Sequence, residues 1–163
     1  MEKKELELYI HIPFCVRKCN YCDFLSFPAD EDTQRQYVKA LCKEIFYYGA
    51  HCRDYVVSTV YIGGGTPSWL WESDMAEIMD AVHKNFALLP DAEVSVECNP
   101  GTVTAQKFAV YRQSGINRIS LGLQSAQNVE LKMLGRIHTW EQFLKTYAVS
   151  YTHLRAHETE LHL

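Results

Sequence analysis

Four times along this 163-residue chain, a short run rich in β-branched and aromatic residues is followed, after a loop, by a segment with helical spacing. LELYIHI (6–12) precedes DTQRQYVKALCKEIFYYGA (32–50), and VVSTVYIGG (56–64) precedes SDMAEIMDAVHKNF (73–86). EVSVEC (93–98) then precedes TAQKFAVYRQSG (104–115), and RISLGL (118–123) precedes AQNVELKMLG (126–135). Strands joined through helices run parallel, because the helix returns the chain to the end of the sheet from which it left. The expected architecture is α/β with about four βα units, as a layered sheet or part of a (β/α) barrel. In the first helix Tyr37, Leu41, Ile45 and Tyr48 recur at helical spacing, with Asp32 or Thr33 as the expected N-cap. Topology repeats here and sequence does not, so a solenoid is not indicated.

The unusual residues cluster at the ends of those strands. Cys15, Cys19 and Cys22 follow the first, and Gly63, Gly64, Gly65 and Thr66 close the second. Glu97 and Asn99 close the third, and Gln124 and Ser125 follow the fourth. Parallel α/β folds build their active sites at the C-terminal ends of strands, where the βα loops converge. One shared site is therefore expected.

Six cysteines in a chain with no apolar leader point to a reducing, cytosolic setting in which thiols stay unpaired. Cys42, Cys52 and Cys98 are expected to be small buried hydrophobes. The C-x3-C-x2-C trio leaves two readings open. A zinc site takes four protein ligands and would need His11 as the fourth. An iron–sulfur cluster held by three cysteines keeps one iron open for a small molecule. Glu97 and Gln124 also read equally well as solvated loop residues, and Tyr9 as a packing residue. Sixteen basic against twenty acidic residues, with no Lys/Arg run, argue against a nucleic-acid partner. No apolar stretch reaches the eighteen or more residues of a membrane span.

YIHIPFCVRKCNYCDF (9–24) resembles the cluster-binding signature of radical S-adenosylmethionine (SAM) proteins. YIGGGTPS, VECNPGT, NRISLGLQS and LGRIHT resemble, in the same order, the branch that contains oxygen-independent coproporphyrinogen III oxidase and a haem chaperone; the resemblance covers residues 6–147. It implies that Cys15, Cys19 and Cys22 ligate a [4Fe–4S] cluster whose fourth iron takes the amino and carboxylate groups of SAM, for reductive cleavage to a deoxyadenosyl radical. It further implies that Gly63, Gly64, Gly65 and Thr66 line the methionine moiety and that Glu97 pairs with its ammonium. Arg136 would meet the carboxylate, Gln124 the ribose and Tyr21 the adenine, with Tyr9 among the cofactor contacts. Flavodoxin or ferredoxin would supply the electron.

Within that branch the oxidase has a further cysteine where this chain has Phe24, and Asp23-Phe24 with LGRIHT is similar to the haem chaperone. That similarity implies haem binding and delivery to respiratory proteins, the haem determinants lying in a C-terminal part not present here. A full eight-unit barrel takes about 250 residues. Residues 1–148 are therefore expected to be the N-terminal part of a radical SAM core, with an exposed fourth-strand edge, cluster binding and no turnover. Residues 149–163 are expected to be a non-native tail, because SYTHLRAHET resembles a translated sequencing adapter. His153 and His157, four apart in that tail, are not expected to form a metal pair.

Overall fold

The computed structural model describes residues 4–153. Four parallel strands, β1 (Lys4–Ile12), β2 (Tyr55–Gly64), β3 (Leu88–Cys98) and β4 (Arg118–Leu121), form one sheet in the order β1-β2-β3-β4. The connecting helices are α1 (Glu31–His51), α2 (Glu72–Asn85), α3 (Ala105–Gln113) and α4 (Asn128–Met133), followed by α5 (Trp140–His153). Spatial order that follows chain order is the winding of a barrel segment; a doubly wound sheet would reverse direction at a switch point.

The helices form one layer, with α1 against α2, α2 against α3 and α3 against α5. The core lies between them and one sheet face, built from Ile10 and Ile12, Val60 and Ile62, Val94 and Val96, and Ile119 and Leu121. Residues out of phase with these carry polar groups: Tyr9 and His11, Tyr61, Ser95 and Glu97, then Arg118 and Ser120. Parallel sheets are usually apolar on both faces. A polar second face therefore marks a cavity wall, and Tyr61, Glu97, Arg118 and Ser120 do line one.

Several boundaries depart from the sequence reading. The N-cap of α1 is Asp30, whose carboxylate accepts from the Thr33 amide at 2.8 Å, and neither Asp32 nor Thr33 has that role. Tyr48 is 53% exposed, and the stripe of α1 facing the core runs through Gln34, Val38 and Ile45. β3 begins at Leu88 because Val57 pairs with Leu88 before the register jumps to Thr59 with Glu93. Helix α5 is an addition to the sequence reading, although Thr139 and Gln142 form a reciprocal capping box, with the Gln142 side chain accepting from the Thr139 amide at 2.9 Å. Along α5, Trp140 stacks on Phe143 and Phe143 on Tyr147, with Tyr151 tilted against Tyr147. Cys98 is buried as expected, whereas Cys42 and Cys52 are half-buried, Cys52 being the C-cap of α1. Residues 154–163, and with them His157 and most of the expected tail, lie outside the described residues. No helix among the described residues is long and apolar enough to cross a membrane.

Candidate functional site

At the C-terminal ends of the strands lies a cavity of about 570 Å³, to which all four βα loops and Arg136 contribute. Cys15, Cys19, Cys22, Tyr21, Gly64, Gly65, Thr66, Glu97, Gln124 and Arg136 all line it. Of the expected residues, Tyr9 and Gly63 do not.

The cysteine loop is held from both sides. The Cys15 amide donates to the Phe27 carbonyl at 3.1 Å and the Phe27 amide to Pro13 at 2.9 Å, closing the loop on itself. Arg17 donates to the Gly135 carbonyl at 2.7 Å and the Asn20 side chain to Met133 at 2.8 Å, fastening it to the end of α4. Cys15 is buried, Cys19 and Cys22 are half-buried, and all three are free thiols. Two sulfurs already accept hydrogen bonds, Cys15 from the Thr66 hydroxyl at 3.4 Å and Cys19 from Arg136 Nη1 at 3.7 Å. Both ring nitrogens of His11 are engaged elsewhere, Nδ1 with the Tyr9 hydroxyl and Nε2 with the Leu25 carbonyl, each at 3.0 Å. His11 is thus not a fourth ligand. Among the described residues no three His, Cys, Asp or Glu side chains are grouped to hold a single metal ion. A tetrahedral zinc with Zn–S near ~2.3 Å draws its sulfurs to within roughly 4 Å of one another, whereas a cluster interposes irons and sulfides between its thiolates.

The glycine run serves space as well as ligand approach. Gly64 has φ +117°, and its amide donates to Glu97 Oε2 at 3.0 Å. A Cβ on Gly65 would stand 2.7 Å from the Phe14 carbonyl and 3.0 Å from the Cys15 sulfur. Gly63 leaves room for Tyr61, whose hydroxyl donates to Glu97 Oε1 at 2.7 Å. Burial first, and then the Glu97 carboxylate, push the Tyr61 phenol well above its usual pKa, so it stays a donor. Tyr9, 60% exposed, stacks on Tyr61 with ring centroids 6.2 Å apart.

Arg136 spans the floor of the site. Its Nη2 donates to Asn99 Oδ1 at 2.7 Å and to the Gly122 carbonyl at 2.8 Å, and its Nη1 also reaches the Tyr21 hydroxyl at 3.4 Å. Its Nε is buried without a partner, a donor whose desolvation is repaid when an acceptor binds. Gln124 has φ 69°, the left-handed region that a non-glycine residue rarely occupies outside functional sites. The cavity residues Tyr61, Arg118 and Ser120 escaped the sequence reading. Their signal was the period of two, because each alternates with a buried apolar neighbour on its strand.

The family described as the Radical SAM superfamily matches residues 9–150. The "Heme chaperone HemW" of Escherichia coli (strain K12) is 46% identical over 134 residues, covering 82% of this chain and 35% of that protein. The protein of the same name from Mycobacterium tuberculosis (strain CDC 1551 / Oshkosh) is 41% identical, covering 81% and 35%. Coproporphyrinogen III oxidase (HemN) from Escherichia coli superposes with a TM-score of 0.86 at 26% identity over 96% of this chain and 37% of its own. The chain thus spans about a third of the length of the curated relatives it matches.

Proposed function

The chain belongs to the Radical SAM superfamily, and from that premise we propose that it is the cofactor-binding part of a haem chaperone. The observation that carries the reading is the convergence of three free thiols, Glu97, Gln124 and an Arg136 with an unsatisfied buried donor on one cavity. This donor set fits the implied groups: thiolates are soft ligands suited to iron–sulfur clusters, and a guanidinium suits a carboxylate. When bound, the cluster and SAM supply one-electron chemistry at a carbon–sulfur bond.

The chain's own residues then bind and orient. Cys15, Cys19 and Cys22 hold the cluster. Gly64 and Gly65 present bare backbone to the methionine moiety, alongside Thr66. Glu97 receives the ammonium, its carboxylate aimed by Tyr61 and the Gly64 amide. Arg136 takes the carboxylate, Gln124 the ribose, and Tyr21 covers the adenine. Residues 1–148 form the N-terminal part of the core, and haem, an electron donor of the flavodoxin or ferredoxin type and respiratory haem proteins are the partners of the whole protein. A cytoplasmic setting suits six unpaired thiols.

A porphyrinogen oxidase is the second reading, favoured by the close superposition on coproporphyrinogen III oxidase. Phe24, in place of the cysteine that the oxidase pattern implies, weighs against it.

Anaerobic reconstitution with iron and sulfide, followed by metal analysis and electron paramagnetic resonance with and without SAM, tests the reading. A [4Fe–4S] signal that shifts on adding SAM supports it, and zinc bound without a cluster in folded protein overturns it. In the full-length protein, haem binding without decarboxylation separates the chaperone from the oxidase.

A further inference from the structure

A path of side chains joins two cysteines of the loop without using the backbone between them. The Thr66 hydroxyl donates to the Cys15 sulfur and accepts from Asn99 Nδ2 at 2.9 Å. Asn99 Oδ1 accepts from Arg136 Nη2, and Arg136 Nη1 donates to the Cys19 sulfur.

The direction of every proton on this path follows from chemistry. Arginine can only donate, so the Asn99 oxygen must face it and the Asn99 NH2 must face Thr66. The Thr66 oxygen is then an acceptor, and its single proton is free to point at sulfur. Thr66 is 4% exposed, which leaves that proton little access to water. Asn99 is itself anchored, its amide donating to Ser68 Oγ at 3.1 Å.

We infer that Asn99 is a positioning residue that aims Thr66 and Arg136 as hydrogen-bond donors at the Cys15 and Cys19 sulfurs, raising the reduction potential of the cluster those thiolates carry. The inference rests on the cluster reading proposed above. Adding one electron increases the negative charge on the thiolate sulfurs, so a donor at sulfur stabilises the reduced state more than the oxidised one. An arginine donor adds a full positive charge to the same effect.

Thr66→Val keeps the shape and removes the proton, Thr66→Ser keeps the proton, and Asn99→Ala removes the shared anchor. Each is reconstituted beside the unaltered chain and titrated with dithionite under electron paramagnetic resonance. Thr66→Val and Asn99→Ala are expected to be about tenfold less reduced at a fixed potential, equivalent to a midpoint about 59 mV more negative for one electron. Thr66→Ser is expected to match the unaltered chain. Unchanged midpoints at full iron content overturn the inference. Should Thr66→Val not load, Asn99→Ala decides by the same criterion; if neither loads while the unaltered chain does, the network is structural and the inference fails. Failure of the unaltered chain to load would overturn the cluster reading instead.

Discussion

Gly64 shows how much a single position contributes to this site. Its φ of +117° is closed to ordinary side chains, and a Cβ there would stand 2.5 Å from the His11 ring, which is held by Tyr9 and by the Leu25 carbonyl. Gly64→Ala is expected to lower stability by about 1–3 kcal/mol through strain at positive φ, with further loss from crowding of His11. Gly101 supplies the comparison, having φ +83° and, apart from its own chain neighbours, no atom within 4 Å of the point a methyl group would occupy. Gly101→Ala is expected to cost only the strain, so urea unfolding of the two variants separates backbone conformation from crowding. Equal losses would show that His11 gives way freely. The triple glycine was legible as a close-approach motif. That it makes room for His11 was not, since His11 arrives through pairing of β1 with β2, whereas Tyr61 stands two residues before Gly63 on the same strand.

Lys107 on α3 ties neighbouring elements into one rim. Its ammonium donates to the Ser68 and Leu70 carbonyls at 2.9 Å each, in the turn after β2, and to Thr102 at 3.2 Å, in the loop after β3. Burial lowers its pKa, because the three carbonyls are neutral acceptors and the Glu72 charge offsets only part of the desolvation. Lys107→Met keeps the stem and leaves the carbonyls unpaired, at an expected cost of about 2 kcal/mol. Chemical denaturation measures the loss, and a cost below a few tenths would show that water replaces the ammonium. Strands and helices were readable as elements because their hydrophobic periods are local. The start of β3 was hidden because Pro90 and Asp91 interrupt the β pattern, and only pairing of Leu88 with Val57 draws that stretch into the sheet.

At the scale of the molecule, the segment between α4 and α5 brings Arg136 to the site and carries a buried histidine. His138 is 4% exposed, and burial, reinforced by the positive charge of Arg136, pushes its pKa down to about 4. The unfolded chain binds this proton near ~6.5, so between that value and about 4 the unfolded state holds more protons than the folded one. Stability from this group is therefore complete above the upper value and is lost as pH falls through the window. Urea midpoints at several pH values should fall more steeply for the unaltered chain than for His138→Gln, and parallel curves would mean that His138 titrates normally in the fold. The sequence by itself determined the parallel βα winding, because periodicity is written locally. It also pointed to the loops that line the cavity, because cysteine spacing and glycine runs are written locally too. Only the tertiary structure decided which atoms meet. Arg136 reaches the Cys19 sulfur across 117 residues, and Asn99 reaches Thr66 across 33. Such meetings depend on the register of adjacent strands and on how far each loop extends past its strand, quantities set by packing of the whole sheet against its helices.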